Sequence, residues 1–321
     1  MKNLINYLIS TCFAMLVCLA TASAQTYPLK PIRLIVPQAP GGGLDIATRV
    51  FATYLGESIG QQIVIDNKVG AGGSIGISAA AAAAADGYTI VIGSTTTMAA
   101  NNFLYKGITV NPLKDFIPLA MLGTIDFALV VPGASSINSV SDLIAAAKAK
   151  PGSLSYGFGS SAALICGEML KSVANVNIVK IAYKGTPQSL TDLVAGRIDL
   201  VCEPLGTSLQ FSKAGKLKNL AVTSVVRNNL APEVPTMAEA GLPFQHATWA
   251  AFFAPAGTPS AIASKLSAEI LKVMSRPDVQ EKIRVSGFVP KIIGAEELGQ
   301  IHKNDWTRME KVVREAGITA E

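Results

Sequence analysis

Apolar residues in this chain alternate between two rhythms. Residues 31–37 form a strand-length apolar run, followed by the turn Pro40-Gly41-Gly42-Gly43. Ile46, Ala47, Val50, Tyr54 and Leu55 then recur at helical spacing. The unit repeats at once: 62–65 reads as a strand, 70–73 as a loop, and 74–85 as an alanine-rich helix stopped by Asp86-Gly87. Residues 88–92 read as the next strand, ending at Gly93-Ser94-Thr95-Thr96. Units of strand, Gly/Ser loop and helix build a parallel sheet with helices on its faces. A second cycle starts near residue 125, with strands over 127–131, 154–157, 179–183, 198–202 and 217–223. Helices over 139–149, 163–173 and 189–195 alternate with them. After Pro232, Pro235 and Pro243 come an apolar run, 249–254, and long amphipathic helices. That tail restarts no strand-rich domain, so its helices are expected to return to the first. The predicted fold is α/β with two domains, 25–124 plus 251–321 and 125–250, and crossovers near 123–131 and 244–254.

Residues 1–24 carry the marks of an export signal. Lys2 supplies the positive start, 8–19 the apolar stretch, and Ala22-Ser23-Ala24 a cleavage site before Gln25. The apolar stretch is short of the roughly 20 residues a membrane span needs. Leu16-Val17 before Cys18 lacks the small residue that should precede a lipidated cysteine. Cleavage after Ala24 and a periplasmic location are expected. The mature chain then keeps only Cys166 and Cys202. In an oxidising compartment these either bridge or remain separate buried thiols.

Composition narrows the function. Half of the 321 residues are hydrophobic and 15% are charged, which excludes a disordered chain. The net charge of +5 is small and dispersed, which argues against a nucleic-acid partner. His246 and His302 are the only histidines and lie far apart, so no metal site is expected.

Three Gly/Ser loops are candidates for binding an anion. At Gly41, Gly42 and Gly43 the backbone can approach a ligand and offer the amides of a helix N-terminus. Gly70, Gly72 and Gly73 repeat the device, and Ser94, Thr95 and Thr96 add hydroxyls at a strand end, where ligands of open α/β sheets sit. Asp45 reads as a carboxylate that stabilises a helix start. Gly72-Gly73-Ser74-Ile75-Gly76 also matches the nucleophile elbow of serine hydrolases, but the strand before it ends near Asp66, too early for an elbow. A loose dinucleotide pattern in the same loop lacks an acidic residue about 20 positions on, and no Walker loop occurs. No cofactor is expected.

Several strings then resemble one family. They include Lys30-Pro31-Ile32-Arg33, Pro40-Gly41-Gly42-Gly43-x-Asp45, Asn67-Lys68-x-Gly70-Ala71-Gly72-Gly73-x-Ile75-Gly76 and Asp86-Gly87-Tyr88-Thr89. Tyr183-Lys184-Gly185, Gly196-x-x-Asp199, Ala214-Gly215-Lys216-Leu217 and Ala254-Pro255-Ala256-Gly257-Thr258-Pro259 continue the match. In this order the mature chain resembles the Bug family, periplasmic solute receptors of tripartite tricarboxylate transporters. The resemblance implies a type II-like periplasmic-binding-protein clamshell, not an enzyme, that captures an organic carboxylate between two lobes and delivers it to membrane permease subunits. A monomer is expected. Second-lobe contacts are implied from Ser160, Ser161, Tyr183 and Thr186, with Glu203 at the same cleft. Two departures stand out: 157–163 is short and lacks the usual histidines, and Glu203-Pro204 replaces Asp-Asn. With 162–165 apolar there, the distal half of the ligand is expected to be less polar than citrate. The alternatives are a secreted serine hydrolase using Ser74 and a receptor feeding a membrane sensor.

Overall fold

The computed structural model describes residues 27–315 together with 317 and 318, so the export signal expected over 1–24 lies outside the described residues. The first lobe opens with β1 (Ile32–Val36), α1 (Gly43–Ile59), β2 (Ile63–Asn67), a short turn of helix (Ala71–Gly73), α2 (Ser74–Ala81) and β3 (Thr89–Ser94). β1 lies between β2 and β3, all parallel, as the repeated strand–loop–helix units require. Its alternating side chains serve two cores. Ile32, Leu34 and Val36 pack with Phe51 and Leu55 of α1, whereas Ile35 meets Ile77 and Ala80 of α2 on the other face. The alanine run is helical only as far as Ala81, and the chain then turns through Asp86-Gly87 to enter β3.

After a π-helical turn (Thr96–Ala100), α3 (Asn101–Leu104) and α4 (Pro112–Asp115), the chain enters β4 (Phe116–Pro132), a strand of 17 residues. This strand is more than twice as long as its sequence pattern predicted. Pro118 and Gly123 each sit at a register shift, which is how a 17-residue strand accommodates a proline. Its first part, as far as Asp126, pairs with β9 (Ala247–Pro255), which in turn pairs with β3. From Phe127 onward it pairs with β7 (Leu200–Pro204), and from Ala128 with β8 (Leu217–Val222). β4 is therefore a member of both lobes' sheets.

The second lobe continues through α5 (Val140–Ala149), β5 (Ser155–Phe158), α6 (Ser161–Ala174), β6 (Val179–Ala182), α7 (Thr186–Val194) and α8 (Leu205–Lys213). β5 lies between β6 and β7, parallel to both. Ser139 and Ser160 cap α5 and α6 by accepting from the amides of Asp142 and Ala163. Cys166 of α6 and Cys202 of β7 are joined in a disulfide, both buried, with Cα atoms 6.1 Å apart. After β9, the chain forms α9 (Ser260–Met274), α10 (Pro277–Val285), β10 (Phe288–Pro290) and α11 (Ala295–Glu315). These return to the first lobe: Leu266 and Ile270 of α9 join the α1 core, β10 pairs with β4, and Leu298 of α11 joins the α2 core. No described helix is long and apolar enough to cross a membrane.

Candidate functional site

A cavity of about 390 Å³ lies between the lobes. From the first lobe it is walled by the ends of β1 and β3 and the loop after β2, from the crossovers by Ile125, Phe127 and Thr248, and from the second lobe by the ends of β5, β6 and β7. This is the carboxyl edge of the parallel strands, where helix and loop amides point into the cleft.

The loop after β2 provides the tightest corner. Gly70, Ala71, Gly72 and Gly73 all take positive φ (120°, 46°, 60° and 99°), a run that turns the backbone sharply. The amide of Gly73 donates to Gly70 O at 2.9 Å. The earlier amides of Ala71 and Gly72 precede any acceptor within the turn, as at the start of any helix. Gly73 cannot be replaced without strain, because a Cβ there would stand 2.8 Å from Pro37 O. Asn101 Nδ2 holds the loop from behind, donating to Gly72 O and Ser74 Oγ at 3.0 Å each.

Beside this loop stands a cluster of hydroxyls. Ser94 Oγ is 2.8 Å from Thr96 Oγ1, and Ser94 N donates to Thr97 Oγ1 at 2.9 Å. Ser94, Thr96 and Thr97 all line the cavity. Tyr105 lines it too, and its hydroxyl lies 3.4 Å from Ser161 Oγ across the lobe junction. Lys184 is the single charged residue on the cavity wall, so the polar lining presents hydroxyls, amides and an ammonium but no carboxylate.

The residues nominated from sequence separate into two groups. Gly70, Gly72, Gly73, Ser94, Thr96, Ser160 and Tyr183 line the cavity together. Gly41, Gly42, Gly43, Thr95, Ser161, Thr186 and Glu203 are not among its lining residues, for identifiable reasons. At the start of α1 three amides are already occupied: Gly41 N donates to Asp45 Oδ2, Gly42 N to Ala39 O, and Leu44 N to Gln38 Oε1. Gly42 has an ordinary φ of −72°, and the space its Cβ would need is filled by Gln38. Burial would raise the Asp45 carboxyl, but hydrogen bonds from Arg49, Asn67 and Gly41 outweigh it and hold the group below the usual range. The Thr95 hydroxyl accepts from Trp249 N at 3.1 Å, within the β3–β9 junction. Of the apolar stretch 162–165, Leu164 and Ile165 pack against Ala99, Leu104, Met309 and Val313 of the first lobe, and only Ala162 reaches the cavity.

Glu203, in β7, is fully buried, and desolvation raises its pKa to about 8 against the opposing effect of the Thr186 and Ser189 hydroxyls beside it. Its Oε2 has no partner within hydrogen-bond geometry. Ser189 Oγ donates to Thr186 O at 2.9 Å and lies 3.4 Å from Glu203 Oε1, to which it donates only weakly because its one proton is shared.

Ser74 does not form an elbow. β2 ends at Asn67, Ser74 starts α2 after an intervening loop, and its hydroxyl accepts from Asn101. His302 bonds Met98 O, and His246 is buried behind the Phe127 ring. Among the described residues no group of three or more metal-ligating side chains comes together.

Thr97, Tyr105 and Phe158 are wall residues that sequence reasoning did not single out. The run Ser94-Thr95-Thr96-Thr97 signalled hydroxyls without indicating which would face inward.

Two lobes joined by two strand crossovers, with a donor-lined cavity between them, define a solute-binding receptor of the periplasmic type. The family model for the tripartite tricarboxylate transporter family receptor matches residues 47–318, and the chain belongs to that family. It is 38% identical over 301 residues (92% of this chain, 89% of the relative) to a protein encoded in the tcbD–tcbE intergenic region of Pseudomonas sp. strain P51. It is 36% identical over 303 residues (93% of each chain) to BugT of Bordetella pertussis. The structure of R. palustris Rpa4515 with adipate is similar at a TM-score of 0.88 and 33% identity, covering 91% of this chain and 99% of that one.

Proposed function

We propose that the mature chain is a periplasmic receptor that closes on an organic carboxylate and presents it to the permease subunits of a tripartite transporter. One observation carries the reading: the cavity between the lobes has a polar lining of amides, hydroxyls and a single lysine, with no acidic side chain. Such a lining complements a carboxylate and repels nothing in it. We assign the carboxylate to the amides of Ala71 and Gly72 and the hydroxyls of Ser94, Thr96 and Thr97, with Ser160 and Tyr183 as part of the second-lobe wall that closes over the ligand rather than as donors to its carboxylate. No bond is made or broken. A ligand that touches both lobes favours the closed form by its differential affinity for that state.

The domain limits in this reading fall at 126/127 and 246/247, where β4 changes partners and β9 begins. They lie a few residues from the limits expected from sequence. Export by residues 1–24 with cleavage after Ala24, a monomeric state, and the lack of enzymatic activity, cofactor and nucleic-acid partner belong to the same proposal.

Calorimetry of the mature protein with carboxylates and their uncharged amide analogues tests it. One-to-one binding of an acid with at least tenfold preference over its amide is expected, without added metal or nucleotide. Equal affinity for the amide refutes the proposal.

A further inference from the structure

The cavity is divided by chemistry. Its hydroxyl cluster and free loop amides occupy one corner of the first lobe. Elsewhere the wall is mostly apolar, with Leu44, Ile125, Phe127, Phe158, Ala162 and Pro204 beside the polar side chains of Gln38 and Thr248. The polar groups opposite the corner are largely engaged: Tyr183 OH donates to Asp192 Oδ2 at 2.9 Å, and Ser160 Oγ caps α6. Lys184 is exposed, at the rim.

Four of the lining residues, Tyr105, Phe127, Phe158 and Tyr183, are aromatic in a chain that is only 6% aromatic. Two of these rings are held from behind. Phe127 meets the His246 ring edge-on with centroids 5.1 Å apart, and Phe158 lies 6.1 Å from the Tyr156 ring. Rings fixed in advance lose little freedom when a ligand ring packs on them.

Resting on the carboxylate reading above, we propose that the cleft is built for an aromatic carboxylate, its charge in the Ser94–Thr96–Thr97 corner and its ring between Phe127 and Phe158. One lysine at the rim offers little to the second and third carboxylates of a citrate-like acid. Charges left without partners in a closing cleft keep their desolvation cost. A flat hydrocarbon ring, by contrast, gains from every apolar wall it covers.

The test is a calorimetric panel of benzoate, cinnamate, adipate and citrate on the mature protein at one ionic strength. At least one aromatic acid should bind tenfold or more tighter than adipate and citrate. Tightest binding by adipate or citrate overturns the inference and leaves the carboxylate reading intact. Binding by none of the four fails both. Phe158→Ser should weaken the aromatic acids at least tenfold more than it weakens citrate. Because Phe158 also packs on Tyr156, Ala162→Ser serves as a second variant, adding a hydroxyl to the same wall without removing a ring. It should narrow the aromatic-to-citrate ratio about threefold, and an unchanged ratio in both variants overturns the assignment.

Discussion

Replacing Glu203 by Gln should stabilise the protein at neutral pH and not in acid. The folded-state pKa of about 8 compares with 4.5 for the free group, and burial is the main cause, opposed by contacts with Thr186 and Ser189. Between those two values the folded protein keeps a proton that the unfolded chain has released. Unfolding therefore releases a proton, and stability falls as pH rises through this window, by about 1.4 kcal/mol per pH unit. At pH 7 the accumulated cost is about 3 kcal/mol, and it levels off above the folded pKa. Gln keeps the shape and the donor without the titration. In a protein of this size, about 3 kcal/mol corresponds to a midpoint difference of about 5 °C. His246 works in the opposite sense: burial, then Arg308, pushes it down to about 4, so its contribution is lost as pH falls from 6.5 towards that value. Because His246 is common to both proteins, subtracting the wild-type midpoint from the variant midpoint isolates Glu203. Thermal unfolding from pH 4 to pH 9 should show this difference near zero at the acid end, growing to about 5 °C by pH 7. A difference that stays flat across the range refutes the assignment of a neutral buried acid.

Three other outcomes follow from particular contacts. Opening the Cys166–Cys202 bridge, which spans 36 residues, should cost about 4 kcal/mol in urea unfolding with and without reductant; no measurable loss refutes it. Thr96→Val should weaken carboxylate binding by about 2 kcal/mol, roughly thirtyfold, while Thr95→Val lowers the unfolding midpoint and spares binding. Equal effects on binding would return Thr95 to the site. Gly206 of the second lobe sits against Gly287 of the first, and a Cβ at Gly206 would stand 2.3 Å from Gly287 Cα. Gly206→Val should therefore prop the lobes apart and reduce ligand affinity at least tenfold, with little change in the ligand-free midpoint; unchanged affinity would show that closure does not depend on this contact.

The alternation of strand and helix was legible because each first-lobe strand is a compact apolar run followed by glycine, and glycine is where the backbone must turn. The loop at Gly70 to Gly73 was legible for the same reason, since its run of positive φ favours residues without Cβ. What the sequence did not reveal depends on distant partners. Gly41 and Gly42 look like part of an anion cradle until Asp45 and Ala39 O take their amides. Thr95 and Thr96 are adjacent and chemically identical, and only the arrival of Trp249 on a crossover strand decides which hydroxyl turns away. Phe127 and Phe158 carry the same apolar signal as any core position, and the gap between lobes that makes them a wall is set by residues over a hundred positions apart. β4 was read short because Pro118 and Gly123 interrupt its pattern at the bulges that let it continue.

β4 gives the two halves of the molecule a shared fate. The first stretch completes one sheet and the last stretch the other, and the change of partner falls inside one unbroken strand, between Asp126 and Phe127. A fault that unpairs one end of the strand removes support from both cores. The halves are thus one heritable and one cooperative unit, in spite of a shape that invites counting two. Recombination that exchanged one half for a relative's would have to carry a matching length of β4 and β9, with their register breaks, or the hybrid would face the cleft with its two walls out of alignment.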